Sequence, residues 1–170
     1  MQIKAVDSST RKSIVDLIAK NWGSPIMVTK GRVHDLSKLP GYIVYEGMEI
    51  KGLITYNVEN DECEITSFDS FEENKGIGSA LLEKVVKTAE EIGCKRIWLI
   101  TTNDNTKAMR FYQKRGFDLK AIYCGSVQEA RKIKPEIPLY GNDNIPIMHE
   151  IEFEKIMNNT YPFSLMPLLD

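Results

Sequence analysis

The spacing of apolar residues changes from strand-like to helical at Gly76, and this change limits the architecture more than any other feature of the chain. Before it, Tyr42-Ile43-Val44-Tyr45, Leu53-Ile54-Thr55-Tyr56 and Cys63-Glu64-Ile65-Thr66-Ser67-Phe68 are short runs rich in β-branched and aromatic residues. Glu46-Gly47-Met48 and Asn60-Asp61 separate them as turns, which predicts an antiparallel meander. After it, Ile77, Leu81, Val85, Ala89 and Ile92 form an apolar stripe that ends at Gly93, as in a helix packed on a sheet. Arg96-Ile97-Trp98-Leu99-Ile100-Thr101 is then a nearly unbroken apolar strand, expected in mid-sheet with both faces covered, and Asn103-Asp104-Asn105 stops it. Ala108, Phe111 and Tyr112 suit a short helix closed by Gly116, ahead of a strand over residues 117 to 123.

The flanks are less regular. A strand over residues 3 to 6 precedes Asp7-Ser8-Ser9, whose side chains can cap a helix with Ile14, Ile18 and Trp22 on one face and Gly23 at its end. Residues 24 to 40 hold Pro25, Gly31 and Pro40 without a clean period and read as a long loop or short helix bordering a site. Ser126-Val127-Gln128-Glu129 fits a capping box, so a small helix should follow. Pro135, Pro138, Gly141 and Pro146 make an irregular segment. Ile151 and Phe153 then alternate with Glu150, Glu152 and Glu154, as in an edge or half-exposed strand. The fold class expected is α/β, a mixed and mostly antiparallel sheet flanked by helices.

A length of 170 residues suits a single domain spanning 1–170, with residues 126–146 as a variable insertion and 155–170 as an apolar tail. That tail packs on its own domain or into a second subunit of a homodimer. A net charge of -2 gives no electrostatic reason to expect nucleic acid or an anionic membrane as partner. The chain shows neither a signal core nor a run of the roughly 18 apolar residues that a membrane span needs, so cytoplasm is the expected compartment. Cys63, Cys94 and Cys124 are widely spaced, and His34 and His149 lie far apart; no metal is expected.

The stretch Glu73-Asn74-Lys75-Gly76-Ile77-Gly78-Ser79-Ala80-Leu81-Leu82 stands between a strand and a helix. Glycines there let successive backbone N–H groups converge on an anion at the helix start, a pyrophosphate cradle; an ordinary glycine-capped helix is the equal alternative. Leu81 occupies the place of the third glycine of a dinucleotide fingerprint, and no Gly-Lys-Ser/Thr ending completes a P-loop. About thirty residues on comes Asn105-Thr106-Lys107-Ala108-Met109-Arg110-Phe111-Tyr112-Gln113-Lys114-Arg115-Gly116-Phe117.

Together, over residues 42 to 123, the two motifs resemble those of the GCN5-related N-acetyltransferase (GNAT) family: Arg/Gln-x-x-Gly-x-Gly/Ala, then Asn-x-x-Ala-x-x-Phe-Tyr-x-x-x-Gly-Phe. Glu73 departs from the pattern, standing where the family usually has Arg or Gln. The resemblance implies acetyl-CoA as cosubstrate and a primary amine, on a small molecule or a protein, as acceptor. It implies that Phe68, Asp69 and Ser70 bond the pantetheine arm from a splayed strand, and that Asn74, Lys75, Gly76, Ile77, Gly78 and Ser79 hold the phosphates. Asn105 and Ala108 would border the cofactor arm. Tyr112 matches the family's general acid, against the alternative of a core aromatic. Glu64 lies where some members carry the catalytic base, against the alternative of a solvated strand glutamate; Asp69 and a water-mediated base come next. His34 and Asp35 in the early loop, and Tyr140 and Asp143 in the late segment, are candidates to contact the acceptor. Two further functional classes stay open: an acyl-CoA-binding sensor without turnover, and a non-catalytic scaffold of the same fold.

Overall fold

The computed structural model describes residues 2–72 and 75–157. Its first strand, β1 (Gln2–Ala5), leads to Asp7, whose Oδ1 accepts the backbone N–H of Ser9 and Thr10 at 2.9 and 3.0 Å and so starts the turn into α1 (Arg11–Trp22). Ile14 and Ile18 of α1 are buried, and Gly23 ends it in the left-handed region. Trp22 lies 44% exposed, off the buried face.

Residues 24 to 40 are a β-hairpin, not the loop or short helix their composition suggested. In it β2 (Ile26–Thr29) pairs with β3 (Arg32–Asp35), and Lys30 and Gly31, both at positive φ, make the two-residue turn whose twist matches a hairpin. Four-residue strands between prolines leave too short a run for alternation to register. The meander follows as expected: β4 (Gly41–Glu46), β5 (Glu49–Glu59) and β6 (Glu62–Ser70). Then come α2 (Ile77–Ile92), β7 (Arg96–Thr102), α3 (Thr106–Gln113), β8 (Asp118–Tyr123), α4 (Ser126–Ile133) and β9 (Glu150–Ile156).

Seven strands form one sheet in the order β1-β4-β5-β6-β7-β9-β8, with β6 and β7 parallel and the other neighbours antiparallel. Two expectations are corrected. β9 is an interior strand between β7 and β8, and its Glu150 and Glu152 are buried, because the hairpin and α4 cover a face that alternation alone assigns to solvent. The Ser126 capping box does not form: Gly125 is the N-cap of α4, the Ser126 hydroxyl donates to the Tyr123 carbonyl at 3.0 Å, and Glu129 pairs with Lys132.

Two apolar clusters sandwich the sheet. On one face Val44, Ile54, Ile65, Leu99 and Phe153 meet Leu81, Val85 and Ala89 of α2. On the other Ile43 and Leu53 meet Ile14 and Ile18 of α1 with Leu36. Gly52 lets β5 approach α2: a Cβ there would stand 2.6 Å from Ile77 Cγ2 and 2.9 Å from Leu81 Cδ1.

The sheet parts in its middle. β6 and β7 pair only from Glu62↔Arg96 to Ile65↔Leu99. Thr66 is then an extra residue, since Thr55 faces Ser67 while Tyr56 faces Ile65; this bulge turns the rest of β6 aside. The Thr55 hydroxyl lies 2.8 Å from that of Thr66 and 2.6 Å from that of Ser67, so one buried cluster holds the bulge. Beyond it β6 pairs with β5 alone and β7 with β9 alone.

Gly52→Ala should therefore destabilise the fold by about 1–3 kcal/mol through overpacking against Ile77 and Leu81, read as a lower urea midpoint at unchanged slope.

Candidate active site

The parted strands open a cleft of about 1360 Å³ that runs from the α2 and α3 face of the sheet to the face under the hairpin. Its middle is walled by Thr66, Ser67 and Phe68 on one side and Ile100, Thr101 and Thr102 on the other. Their backbone groups facing the gap have no ladder partner, so an extended amide-bearing chain could pair there as an added strand does.

At one end lies the start of α2. Gly76 takes φ 74°, which glycine adopts without strain, and aims the first turn at the cleft. The first helical hydrogen bond runs from the Ala80 N–H to the Gly76 carbonyl, α2 has no side-chain cap, and no acidic residue occupies its first turn. The N–H groups of Ile77, Gly78 and Ser79 are thus open for an anion at the positive helix end. Arg115 adds charge: one guanidinium nitrogen reaches the Ser79 hydroxyl at 2.5 Å, another the Phe111 carbonyl at 3.0 Å, and the group stacks 3.6 Å from the Phe111 ring centroid. A pyrophosphate and its attached amide arm fit these features, with Ile77–Ser79 amides and Arg115 as the donors that would hold the phosphates. Lys75 itself pairs with Glu72 at 2.6 Å and does not line the cleft. Glu73 and Asn74 lie outside the described residues, as does the apolar tail from residue 158 onward.

Tyr112 lines the cleft from α3 and is packed among Phe68, Phe111, Phe117 and Phe153, with ring centroids 5.4 to 6.3 Å away. Burial, with the Asp69 charge second, raises the pKa of its hydroxyl, so the phenol stays protonated. Asn105 Oδ1 caps α3 by accepting the Ala108 N–H at 3.1 Å, and both residues line the cleft. Ser70 lines it too; Asp69 turns to the α1 face, where the Trp22 indole N–H reaches its Oδ2 at 3.0 Å and burial raises its pKa.

Glu64 is buried, but it faces a separate 180 Å³ pocket with Arg32 and Trp98 rather than the cleft. The Thr29 hydroxyl, which does line the cleft, donates to Glu64 Oε1 at 3.0 Å, and Arg32 approaches Oε2 at 3.4 Å. His34 Nε2 and Glu64 Oε2 come within 3.0 Å without the alignment of a hydrogen bond, so both are buried and unpaired in that sense. Asp35 accepts from the Ser37 amide and hydroxyl. Tyr140 bridges to Pro146, and Asp143 sits in a short 3-10 turn, Asn142–Asn144. His34, Asp35, Tyr140 and Asp143 therefore do not line the cleft.

Sequence reasoning missed several residues that do. Glu150 and Lys134 enter it from the hairpin side, 3% and 5% exposed. The Lys134 ammonium donates to the Ile26 carbonyl at 2.7 Å, and burial lowers its pKa. Asp104 is buried at the same junction, where its Oδ2 accepts the Asn142 N–H at 2.9 Å; a Cβ on Gly141 would collide with that carboxylate. Only Arg115 carried a signal, its place inside the second motif. Burial raises the pKa of Cys63, to about 12, and of Cys94, so both stay thiols in the core. Among the described residues no cluster of His, Cys, Asp and Glu could hold a metal ion, and no helix is long and apolar enough to cross a membrane.

The cleft thus combines a split sheet, an uncapped helix start and a phenol at their junction. The family model for acetyltransferases of the GNAT type matches residues 13–117, and the chain belongs to that family. An uncharacterized Bacillus subtilis protein, YdhI, is 45% identical over 146 residues, which cover 85% of this chain and 91% of that one. The B. subtilis spermine/spermidine N(1)-acetyltransferase is 31% identical, with 69% of this chain and 87% of that one covered. The crystal structure of a GNAT acetyltransferase from Elizabethkingia anophelis with acetyl-CoA bound shares the fold: its TM-score is 0.69 at 19% identity, over 91% of this chain and 97% of that one.

Replacing Gly78 by Glu puts a carboxylate beside the Phe68 and Phe111 rings, both 3.5 Å from where its Cβ would stand. Gly78→Glu should abolish binding of acetyl-CoA, measured by calorimetric titration, while the protein keeps its far-ultraviolet circular dichroism.

Proposed function

We propose that the protein transfers the acetyl group of acetyl-CoA to a primary amine by direct attack, with both substrates bound together. The observation that carries this reading is the Tyr112 phenol beside the gap between β6 and β7, in the same cleft as the open α2 amides. The bound cosubstrate would supply the acetyl thioester. The chain's own groups do the rest: Ile77–Ser79 amides and Arg115 neutralise phosphate charge, and free backbone groups of β6 and β7 align the arm along the gap.

Tyr112 acts as the acid. Burial keeps the proton on the phenol, which donates to the sulfur as negative charge builds there in the breaking C–S bond, and such assistance is typically worth about 10² to 10⁴ in rate. No covalent acetyl-enzyme is needed, and Cys63 and Cys94 lie in the core as thiols. The acceptor would enter under the hairpin, where Met27, Val28, Val127, Ala130 and Ile147 make an apolar approach ending at buried Glu150. That lining suits an amine on an aliphatic stem, and the name of the spermine/spermidine relative supports the same class.

Thermal unfolding with and without acetyl-CoA is the first test, since a ligand at 100 times its Kd adds about 2.7 kcal/mol to stability. A raised Tm is expected, followed by free thiol release when spermidine is added; no shift at millimolar acetyl-CoA rejects the reading. Tyr112→Phe should lower kcat by about 10²-fold or more while the Kd for acetyl-CoA changes less than threefold. Unchanged turnover would remove Tyr112 as the acid.

A further inference from the structure

Direct attack needs a group to take the amine proton, because an alkylammonium has a pKa of about 10 and only the neutral amine is nucleophilic. Four carboxylates among the described residues line the cleft: Glu72, Asp104, Glu136 and Glu150. Glu72 is paired with Lys51 at 3.0 Å and Lys75 at 2.6 Å. Asp104 accepts from the Thr102 hydroxyl at 2.6 Å and from the Asn142 backbone and side chain at 2.9 and 2.8 Å. Glu136 is exposed to solvent.

Glu150 differs from all three. It is 3% exposed, it accepts long hydrogen bonds from the Lys30 backbone N–H, at 3.2 and 3.3 Å, and the Ser126 hydroxyl lies beside it. The Lys30 ammonium, which could have neutralised it, is instead held by Glu152 at 2.9 Å. Glu152 also takes Arg96 and the Tyr123 hydroxyl, while Glu154 takes Arg96 and Lys120. Lys30, Arg32 and Arg96 are thus spent on neighbouring carboxylates and the Lys134 ammonium on the Ile26 carbonyl, and among the described residues none forms an ion pair with Glu150.

We propose that Glu150 is the general base that receives the proton of the acceptor amine. It is the first residue of β9 and lies opposite Thr102, at the end of the β7 segment whose other edge borders the gap. Its side chain shares the hairpin face with Glu152, whereas Tyr112 packs against Phe153 on the other face. Base and acid therefore address the gap from opposite sides of the sheet. Glu150 first takes a proton from the acceptor ammonium and passes it to solvent; as the N–C bond then forms and the C–S bond breaks, a Glu150 oxygen receives a second proton from the nitrogen and the Tyr112 hydroxyl gives its own to the sulfur. Solvent then takes a proton from Glu150 and returns one to Tyr112.

Burial raises the Glu150 pKa against the lowering pull of the Ser126 hydroxyl, the Lys30 amide and the Lys30 charge. The groups around it are Lys30 from the hairpin, Tyr123 from β8, Glu152 from its own strand, and Lys134 and Glu136 along the same cleft. Glu150 works as a base only when ionised, so activity should fall on the acid side at a pH above the ordinary glutamate range.

The inference rests on the acetyl-transfer reading, and the experiment separates the two. Wild type, Glu150→Gln and Glu64→Gln are compared for the acetyl-CoA-induced Tm shift and for thiol release with spermidine from pH 5.5 to 9. The expected result is a preserved Tm shift in Glu150→Gln, with kcat/KM down by about 10² to 10⁴ and the acidic limb gone. An unchanged limb in Glu150→Gln, or its loss in Glu64→Gln instead, overturns Glu150 as base and leaves acetyl transfer standing. Absence of any wild-type Tm shift strikes the acetyl-transfer reading itself. A second readout needs no acceptor: in protein carrying ¹³C-labelled glutamate, the carboxyl resonance that Glu150→Gln removes should titrate at the pH of the acidic limb in wild-type kcat/KM, and titration away from that limb overturns the proposal.

Discussion

The bulge at Thr66 is the constraint on which the rest of the site depends. A sheet with every edge paired has no room between adjacent strands, which lie about 4.8 Å apart. One extra residue in β6, held by the Thr55, Thr66 and Ser67 hydroxyls, ends its pairing with β7 after four residue pairs. The strands remain anchored outward, to β5 and β9, so the opening does not unravel the sheet. Each of those hydroxyls is buried, and a polar group there would be costly without the partners the bulge supplies. The same residues that break the ladder thus compensate for breaking it.

The hairpin has a second, electrostatic task. Glu64, Glu150 and Glu152 project from one sheet face into a region with almost no solvent access. Lys30 and Arg32 descend on them from the hairpin, and Arg96 runs alongside from β7. Trp98 lies under all three cations, with charge-to-ring distances of 5.4 to 5.8 Å. Buried carboxylates in such number are tolerable only because cations are interleaved with them. The distribution is uneven, and the carboxylate left with the weakest partners is the one at the cleft.

Most of the central fold was legible in the sequence. The meander, α2, β7 and α3 each had an apolar period long enough to read, and the two glycine-bearing motifs lay at element boundaries where their role could be argued. What escaped depends on covering layers. Alternation in β9 marks one face as apolar but cannot say that the glutamate face is also buried, since the hairpin that buries it comes 120 residues earlier and looked like loop. Glu64 was legible as a strand residue but its facing was not, and no local pattern connects it to Thr29, whose hydroxyl donates to it. Glu150 was hidden for the same reason.

Asn103, Asp104 and Asn105 spend their side chains on three different stretches of chain. Asn103 accepts the N–H of Met148 and His149, Asp104 that of Asn142, and Asn105 that of Ala108. The late segment is therefore pinned at both ends, by Lys134 to Ile26 and by Asn142 to Asp104, with residues 135 to 141 between the pins. Lengthening such a stretch costs little, because each doubling of a flexible loop adds only about 0.6 kcal/mol of closure entropy. Descendants of this chain could accordingly exchange that stretch for others and reshape the rim of the cleft that Glu136, Ile137 and Pro138 line, while inheriting the parted strands intact.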